Sequence, residues 1–385
     1  MKVLHLNTHG EGGSYEYAAT LSRALVEIGT DSRIVTRQDT ARNGTDKILR
    51  RASLAFAKGA WHGTRRTWGA PCVEEIDADV VHLHTVADWF DVPAWLARLP
   101  KRIRVVIGMH DLWHVSGGCF VHGACERFRD KCEPCPLLHF PANHILAADE
   151  LRRKRAIYQQ REVRFVANSR WLKSIVAASP VVNGAEVAVI PPSVDTRVFR
   201  SLERDECRAG FGLESDDLVV STGCASLTDT NKDTPGLLEV LAALNEPRLR
   251  VLVFGHGAIP CPTDLRVKWL GAMKHKESLA RIYNASDVFV SASRMETYGL
   301  TLAEALACGT PVVAYKVGGI PEAVPPGPAV TLVDPYDRLA FQSALRDILA
   351  RRESLLAGRS ALAETTARRC NPSAAAAAAF EIYHR

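Results

Sequence analysis

Two carboxylates, Glu296 and Glu304, stand either side of the step Gly299–Leu300–Thr301, between two apolar runs. Residues 287–292 read as a short buried strand and residues 311–314 as another, while residues 302–307 carry helical spacing between them. Gly299 opens that helix, so backbone N–H groups near Leu300 and Thr301 lack an intrahelical partner and attract a phosphate. Glu296 falls in the loop before the helix and Glu304 one or two turns inside it, at about 1.5 Å of rise per residue. A diphosphate with a sugar on each side would meet one carboxylate at each sugar. Alone, two such glutamates also suit a solvated helix end with an acidic first turn. The order of strand, glycine hinge, helix and Gly309–Thr310–Pro311 return to a strand favours the ligand.

Other segments carry chemistry of the same kind. The first strand ends in residues 8–15, where Gly12, Gly13 and Ser14 run into a helix. Glycines permit close backbone approach and the helix start favours anions. A dinucleotide fingerprint would need glycine at Tyr15, which counts against an oxidoreductase. Lys232 lies in the polar run 225–233, where a lysine is by default a solvated surface charge. His110, with Asp111 behind it, ends the strand pattern 104–108. Such a histidine is either a hydrogen-bonded structural group or part of a site. His9 and His84, at other strand ends, are further candidates.

Cys119, Cys125, Cys132 and Cys135 cluster within residues 117–136 and end in a Cys-x-x-Cys pair. Four thiolates in so short a span can close a tetrahedral zinc site. The spacing is not that of a standard finger, and free thiols or disulfides are the alternatives.

The elements that must position these residues alternate along the chain. Residues 2–6, 32–36, 80–84, 104–108 and 164–168 read as strands with a helix at 15–28, the pattern of a parallel sheet covered on both faces. The paired prolines in residues 191–199 mark a linker. A second unit then alternates over 218–223, 235–244, 250–254, 267–270 and 279–284, up to the glutamate segment. Pro372 heads an alanine-rich helix former that runs to Tyr383.

With 385 residues, 47% hydrophobic, the chain is long enough for two domains. No apolar run reaches the roughly 18 residues of a membrane span, and the N-terminus enters a strand without signal-peptide regions, so a cytoplasmic protein is expected. The net charge of +5 is unevenly placed. Residues 46–68 mix basic with apolar and aromatic side chains, and residues 150–155 add a second basic cluster. Each is either a solvated helix face or a peripheral contact with anionic lipid at the inner face of the membrane. No nucleic-acid motif is present, so nucleic acid is not an expected partner.

The glutamate segment, the glycine turn at 12–14, Lys232 and the His110–Asp111 pair together resemble the retaining family-four glycosyltransferases (glycosyl transferases group 1), from the first strand to the last helix. The resemblance implies the α/β GT-B fold, two Rossmann-like doubly wound domains facing across a cleft. Residues 1–195 would bind the acceptor, 196–369 the nucleotide-sugar donor, and 370–385 would cross back to the first domain. It places Gly12, Gly13, Ser14, Lys232, Glu296, Tyr298, Gly299, Leu300, Thr301 and Glu304 at the donor. His110 would lie beside the transferred sugar, with Asp111, His9 and His84 on the acceptor side. Many relatives carry an arginine a few residues before the lysine, whereas none stands between Gly223 and Lys232 here. Either Lys232 is the cation alone or a residue from elsewhere joins it. A subset acting on bacterial surface polysaccharides shares the cysteine insertion, which would shape the acceptor side. No catalytic metal or other cofactor is implied, and no Asp-x-Asp pair sits at a strand end of the donor half.

The activity expected is therefore retaining transfer of a hexosyl unit from a nucleotide-diphosphate sugar to a glycan or lipid-linked acceptor. Two alternatives use the same frame: a nucleotide-sugar epimerase, which needs no acceptor, and a non-catalytic protein that binds a glycan or partner. Donor hydrolysis, epimerisation without acceptor, or no nucleotide binding separates the three.

Overall fold

A computed structural model describes residues 1–40 and 69–385. The basic aromatic run 46–68, with the lipid contact expected of it, lies outside the described residues. Contacts divide the chain into two compact units, Met1–Pro191 with Pro372–Arg385, and Pro192–Asn371.

The first unit holds six strands: β1 (Lys2–Asn7), β2 (Asp31–Thr36), β3 (Val80–Leu83), β4 (Arg104–Met109), β5 (Arg164–Ala167) and β6 (Val187–Val189). They form one sheet in the order β2-β1-β3-β4-β5-β6, with every pairing parallel. Parallel strands need crossovers, and the crossover helices cover both faces, which is why β3 reads Val-Val-His-Leu with no exposed position. The helix Gly13–Glu27 packs one face of the sheet through Tyr17, Leu21 and Leu25, and the helix Pro372–His384 joins it through Ala376, Ala379 and Tyr383. Tyr383 is fully buried and its hydroxyl lies 2.7 Å from His82 Nδ1.

The second unit repeats the plan. Its strands are β7 (Leu218–Ser226), β8 (Leu249–His256), β9 (Val267–Gly271), β10 (Val288–Ser291), β11 (Val312–Tyr315) and β12 (Val330–Val333). The order is β12-β11-β10-β7-β8-β9, again all parallel. The sequence pattern marked neither β12 nor, in the first unit, β6. β7 runs to Ser226, three residues past the expected end, because its last residues pair irregularly with β8.

Strand order sets where each sheet opens a crevice. Each sheet reverses its winding once, between β1 and β3 in the first unit and between β7 and β10 in the second. Loops leaving neighbouring strands there part to opposite faces and leave a crevice at their carboxyl ends. Residues 8–14 and 84–85 flank the first switch point; residues 227–233 and 292–299 flank the second. No helix among the described residues is long and apolar enough to cross a membrane.

Candidate functional site

In the second unit the loops after β7 and β10 are tied together residue by residue. Lys232 Nζ donates to Glu296 Oε1. Ser293 Oγ, itself buried, donates to the same oxygen at 3.0 Å. Asn231 Nδ2 donates to the Met295 carbonyl at 2.8 Å, and Arg294 N–H to the Asn231 carbonyl at 2.7 Å. Burial works to lower the Lys232 pKa, but the Glu296 charge and its hydrogen bond outweigh it, and the pKa is raised. The lysine is a firm cation within reach of solvent.

Glycine chemistry shapes the same spot. Gly299 caps the helix Leu300–Ala307 with φ 102°, and a Cβ there would lie 3.3 Å from Ile320 and Leu302 side-chain carbons. Only glycine adopts that turn without strain. The N–H groups of Leu300 and Thr301 open the helix, where an anion meets unpaired donors. Gly319 N–H donates to the Glu296 carbonyl at 2.9 Å, and Gly318, at φ 55°, leaves so little room that a Cβ would fall 1.9 Å from that oxygen. Gly318, Gly319, Asn231 and Ser293 were not singled out in the sequence. Their only local sign is a Gly-Gly pair after a strand and polar neighbours of Glu296.

Glu304 sits one turn inside the helix and is buried, with the Tyr283 hydroxyl 3.3 Å from its Oε2. Tyr298 is buried too, and burial, together with nearby Cys370, raises its hydroxyl pKa. A second cation comes from the β10 side: Arg294 pairs with Asp233 at 3.2 Å and lies 5.9 Å from the Tyr336 ring centroid. Its backbone N–H is bonded to Asn231, the residue before Lys232.

In the first unit Gly12, at φ 89° and ψ 169°, caps the helix Gly13–Glu27, and nothing lies within 4 Å of a Cβ at Gly12 or Gly13. Both glycines are exposed and Ser14 is half-buried, so backbone N–H groups face open space. His110 follows β4, its Nε2 2.9 Å from His84 Nδ1 and its ring edge-on to Tyr17. Burial lowers its pKa to about 4. Asp111 Oδ1 accepts from Trp113 N–H at 2.8 Å. His9 is exposed, whereas His84 is wholly buried and touches other imidazoles.

Cys119, Cys125, Cys132 and Cys135 line one cavity of about 240 Å³ together with His122 and Phe128, and all four are free thiols. Burial pushes the Cys132 pKa up to about 12 and raises those of Cys119 and Cys135. The stem of this insertion is pinned from below: buried Lys154 Nζ donates to the Trp113 carbonyl at 2.6 Å and the Ser116 carbonyl at 3.2 Å. The donor set suits a soft cation. Among the described residues, the trio whose ligand atoms all lie within 4.8 Å of one another is His5, His82 and His84, and the thiols are more widely spread.

The chain is similar to known proteins. Residues 219–351 match the family described as Glycosyl transferases group 1, and residues 11–198 that described as Glycosyltransferase Family 4. A D-inositol 3-phosphate glycosyltransferase of Mycolicibacterium smegmatis is 30% identical over 301 residues, 74% of this chain and 62% of that protein. The chain covers 62%, 47% and 55% of the first three curated relatives it matches, about half to three fifths of their length. Among solved structures, sucrose-phosphate synthase from Thermosynechococcus elongatus superposes with a TM-score of 0.66 at 20% identity, over 100% of this chain and 98% of the other. Anabaena HepE in complex with UDP-glucose does so with a TM-score of 0.64 at 17% identity, over 100% of both chains.

Proposed function

The chain belongs to the family-four glycosyl transferases of group 1 and has the GT-B fold, and from that premise we propose that it transfers a hexosyl unit from a nucleotide-diphosphate sugar with retention of configuration. The observation that carries this reading is the pairing of Lys232 with Glu296 beside the Gly299 helix start. A cation, a carboxylate and unpaired backbone donors are the set that a sugar diphosphate needs.

Chemistry follows from charge. The bond between the sugar's anomeric carbon and the diphosphate oxygen breaks, and both electrons leave with the nucleotide diphosphate. The acceptor oxygen bonds to the same face of that carbon, and its proton passes to the departing phosphate oxygen. No protein nucleophile is needed. Lys232, with Arg294 as the second cation, and the N–H groups of Leu300 and Thr301 neutralise the charge that builds on the diphosphate. This cation role falls to side chains rather than to a catalytic metal. Glu296 and Glu304 bind hydroxyls of the donor, and Gly299 and buried Tyr298 hold the turn that presents them. In the first unit Gly12, Gly13 and Ser14 offer phosphate contacts, His110 a contact to the transferred sugar, and Asp111 and His9 the acceptor side, with His84, wholly buried, backing His110. Zinc, held by Cys119, Cys125, Cys132 and Cys135, would act structurally, drawing the insertion together.

The acceptor is a glycan or lipid-linked sugar in cell-surface polysaccharide or glycoconjugate synthesis, in the cytoplasm and at the inner face of the membrane. The neighbour bound to UDP-glucose and the relatives named for inositol phosphate choose the first probes. Purified protein incubated with UDP-, GDP- and ADP-sugars should hydrolyse one of them slowly, and faster transfer should follow when glycan or inositol-phosphate acceptors are added. Epimerisation with no acceptor, or no nucleotide binding at all, would overturn the reading.

A further inference from the structure

His110 is the end of a chain of imidazoles. Its Nε2 lies 2.9 Å from Nδ1 of His84, and Nε2 of His84 lies 2.9 Å from Nδ1 of His5. The three rings come from the ends or middles of β4, β3 and β1, neighbours in the sheet. Gly108 makes the approach possible, because a Cβ there would come within 2.9 Å of both His82 Nε2 and His84 Nδ1. His5 and His84 expose no surface.

A neutral imidazole has one N–H and one bare nitrogen. Three such rings in line therefore have two arrangements, each running one way. In the first, His5 Nδ1–H donates to His84 Nε2, His84 Nδ1–H donates to His110 Nε2, and His110 keeps its proton on Nδ1. In the reverse, His110 Nε2–H donates inward and His5 is left with a proton on Nε2. His5 Nε2 is buried with no hydrogen-bond partner. The reverse arrangement strands a donor there, whereas the first leaves only a lone pair, and stranded buried donors are the rarer and costlier case. Neighbouring His114 does not disturb this, since its Nε2–H is spent on the His84 carbonyl at 2.7 Å and its Nδ1 lies 3.0 Å from the Tyr158 hydroxyl.

We propose that His5 and His84 are positioning residues that lock His110 in its Nδ1–H form, so that the ring offers its ligand a hydrogen-bond donor and not a base. The ligand such a group selects is an uncharged oxygen acceptor, a sugar hydroxyl in the function proposed above, on which this last step rests. Burial keeps the rings neutral near pH 7, in keeping with the arrangement. It also assigns proton removal in the transfer to the leaving phosphate oxygen, because neither His110 nitrogen is then free to take a proton: Nε2 accepts from His84 and Nδ1 carries its own.

Nitrogen-15 NMR of histidine-labelled protein at pH 7 tests the lock without any substrate, since ring couplings separate protonated from bare nitrogens. His110→Gln identifies the His110 signals. The expected result is a bare Nε2 and a protonated Nδ1 on His110, unchanged by a metal chelator. A proton on Nε2, or a spectrum altered by the chelator as a bound ion would require, overturns the proposal. His5→Phe removes the inner donor, and His110 should then show both forms; a single unchanged form in the folded variant also overturns it. Should that variant not fold, the wild-type spectrum decides alone. The expected spectrum in a protein that turns over no sugar nucleotide would retain the lock and remove the transferase reading, so the two fail separately.

Discussion

Lys232 and Glu296, 64 residues apart in the chain, meet as an ion pair across the switch point of the second sheet. Both side chains are mostly buried, and Ser293 holds the shared carboxylate oxygen from the other side. In the proposed function a diphosphate arriving here competes with Glu296 for the ammonium, so the carboxylate would both hold the lysine in place and restrain its grip on the product.

That dual role separates binding from turnover. Glu296→Gln should bind UDP or the matching nucleotide about three- to tenfold more tightly by calorimetry, because a negative charge is removed a few ångströms from the ligand. Turnover should fall at least about a hundredfold, the scale of one lost transition-state contact, and Lys232→Ala should lose both binding and turnover. Wild-type rates in both variants would remove the site assignment.

Gly318 has no freedom to become another residue. A Cβ there would overlap the Glu296 carbonyl oxygen, and its positive φ adds about 1–2 kcal/mol of strain for an L side chain. Gly318→Ala should lower stability by roughly 2 kcal/mol or more in urea unfolding and reduce turnover with it, by moving Glu296. Gly13→Ala, with open space at its Cβ and no positive φ, should leave stability within about 0.5 kcal/mol. Equal effects of the two would refute this account of the loop.

Buried imidazoles make stability depend on pH. Burial holds the pKa of His5 and His114 at about 3 and that of His110 at about 4, with His82 and His84 also well below the ordinary 6.5. The unfolded chain takes up protons below pH 6.5 that the folded chain refuses. Stability from these groups is thus full above 6.5 and is lost as pH falls towards 4, by up to about 1.4 kcal/mol per pH unit for each ring. Urea unfolding should show a loss of at least about 3 kcal/mol between pH 7 and pH 5, and a shallower slope in His5→Phe. A flat profile over that range would contradict the burial of the cluster.

The thiol cavity makes its own prediction. Metal analysis of freshly purified protein should find close to one equivalent of zinc, and Cys132→Ser should release it and lower the melting temperature. Less than about half an equivalent counts against a structural metal at Cys119, Cys125, Cys132 and Cys135.

Local chemistry made much of this legible from residue order. Apolar runs such as Val80–Leu83 and Val312–Tyr315 declare strands buried on both faces. Gly299 announces the helix start that follows it, and Pro372 with its alanines the last helix, because propensity and capping act within a few residues. β12 escaped notice because four residues between a proline-rich turn and a polar loop carry too short a pattern.

Proximity between distant segments was decided only by the fold. Nothing in the spacing of Lys232 and Glu296 says that their loops touch; the order that sets β10 beside β7 does, and Asn231 then stitches the loops. Arg294 reaches Asp233, the residue after Lys232, by the same route. His5, His84 and His110 look like three unrelated histidines in or after separate strands until adjacent parallel strands bring their rings within hydrogen-bond reach. Sequence determines what each segment can be, since those forces are short-ranged along the chain, whereas strand pairing across the sheet determines which segments share a site.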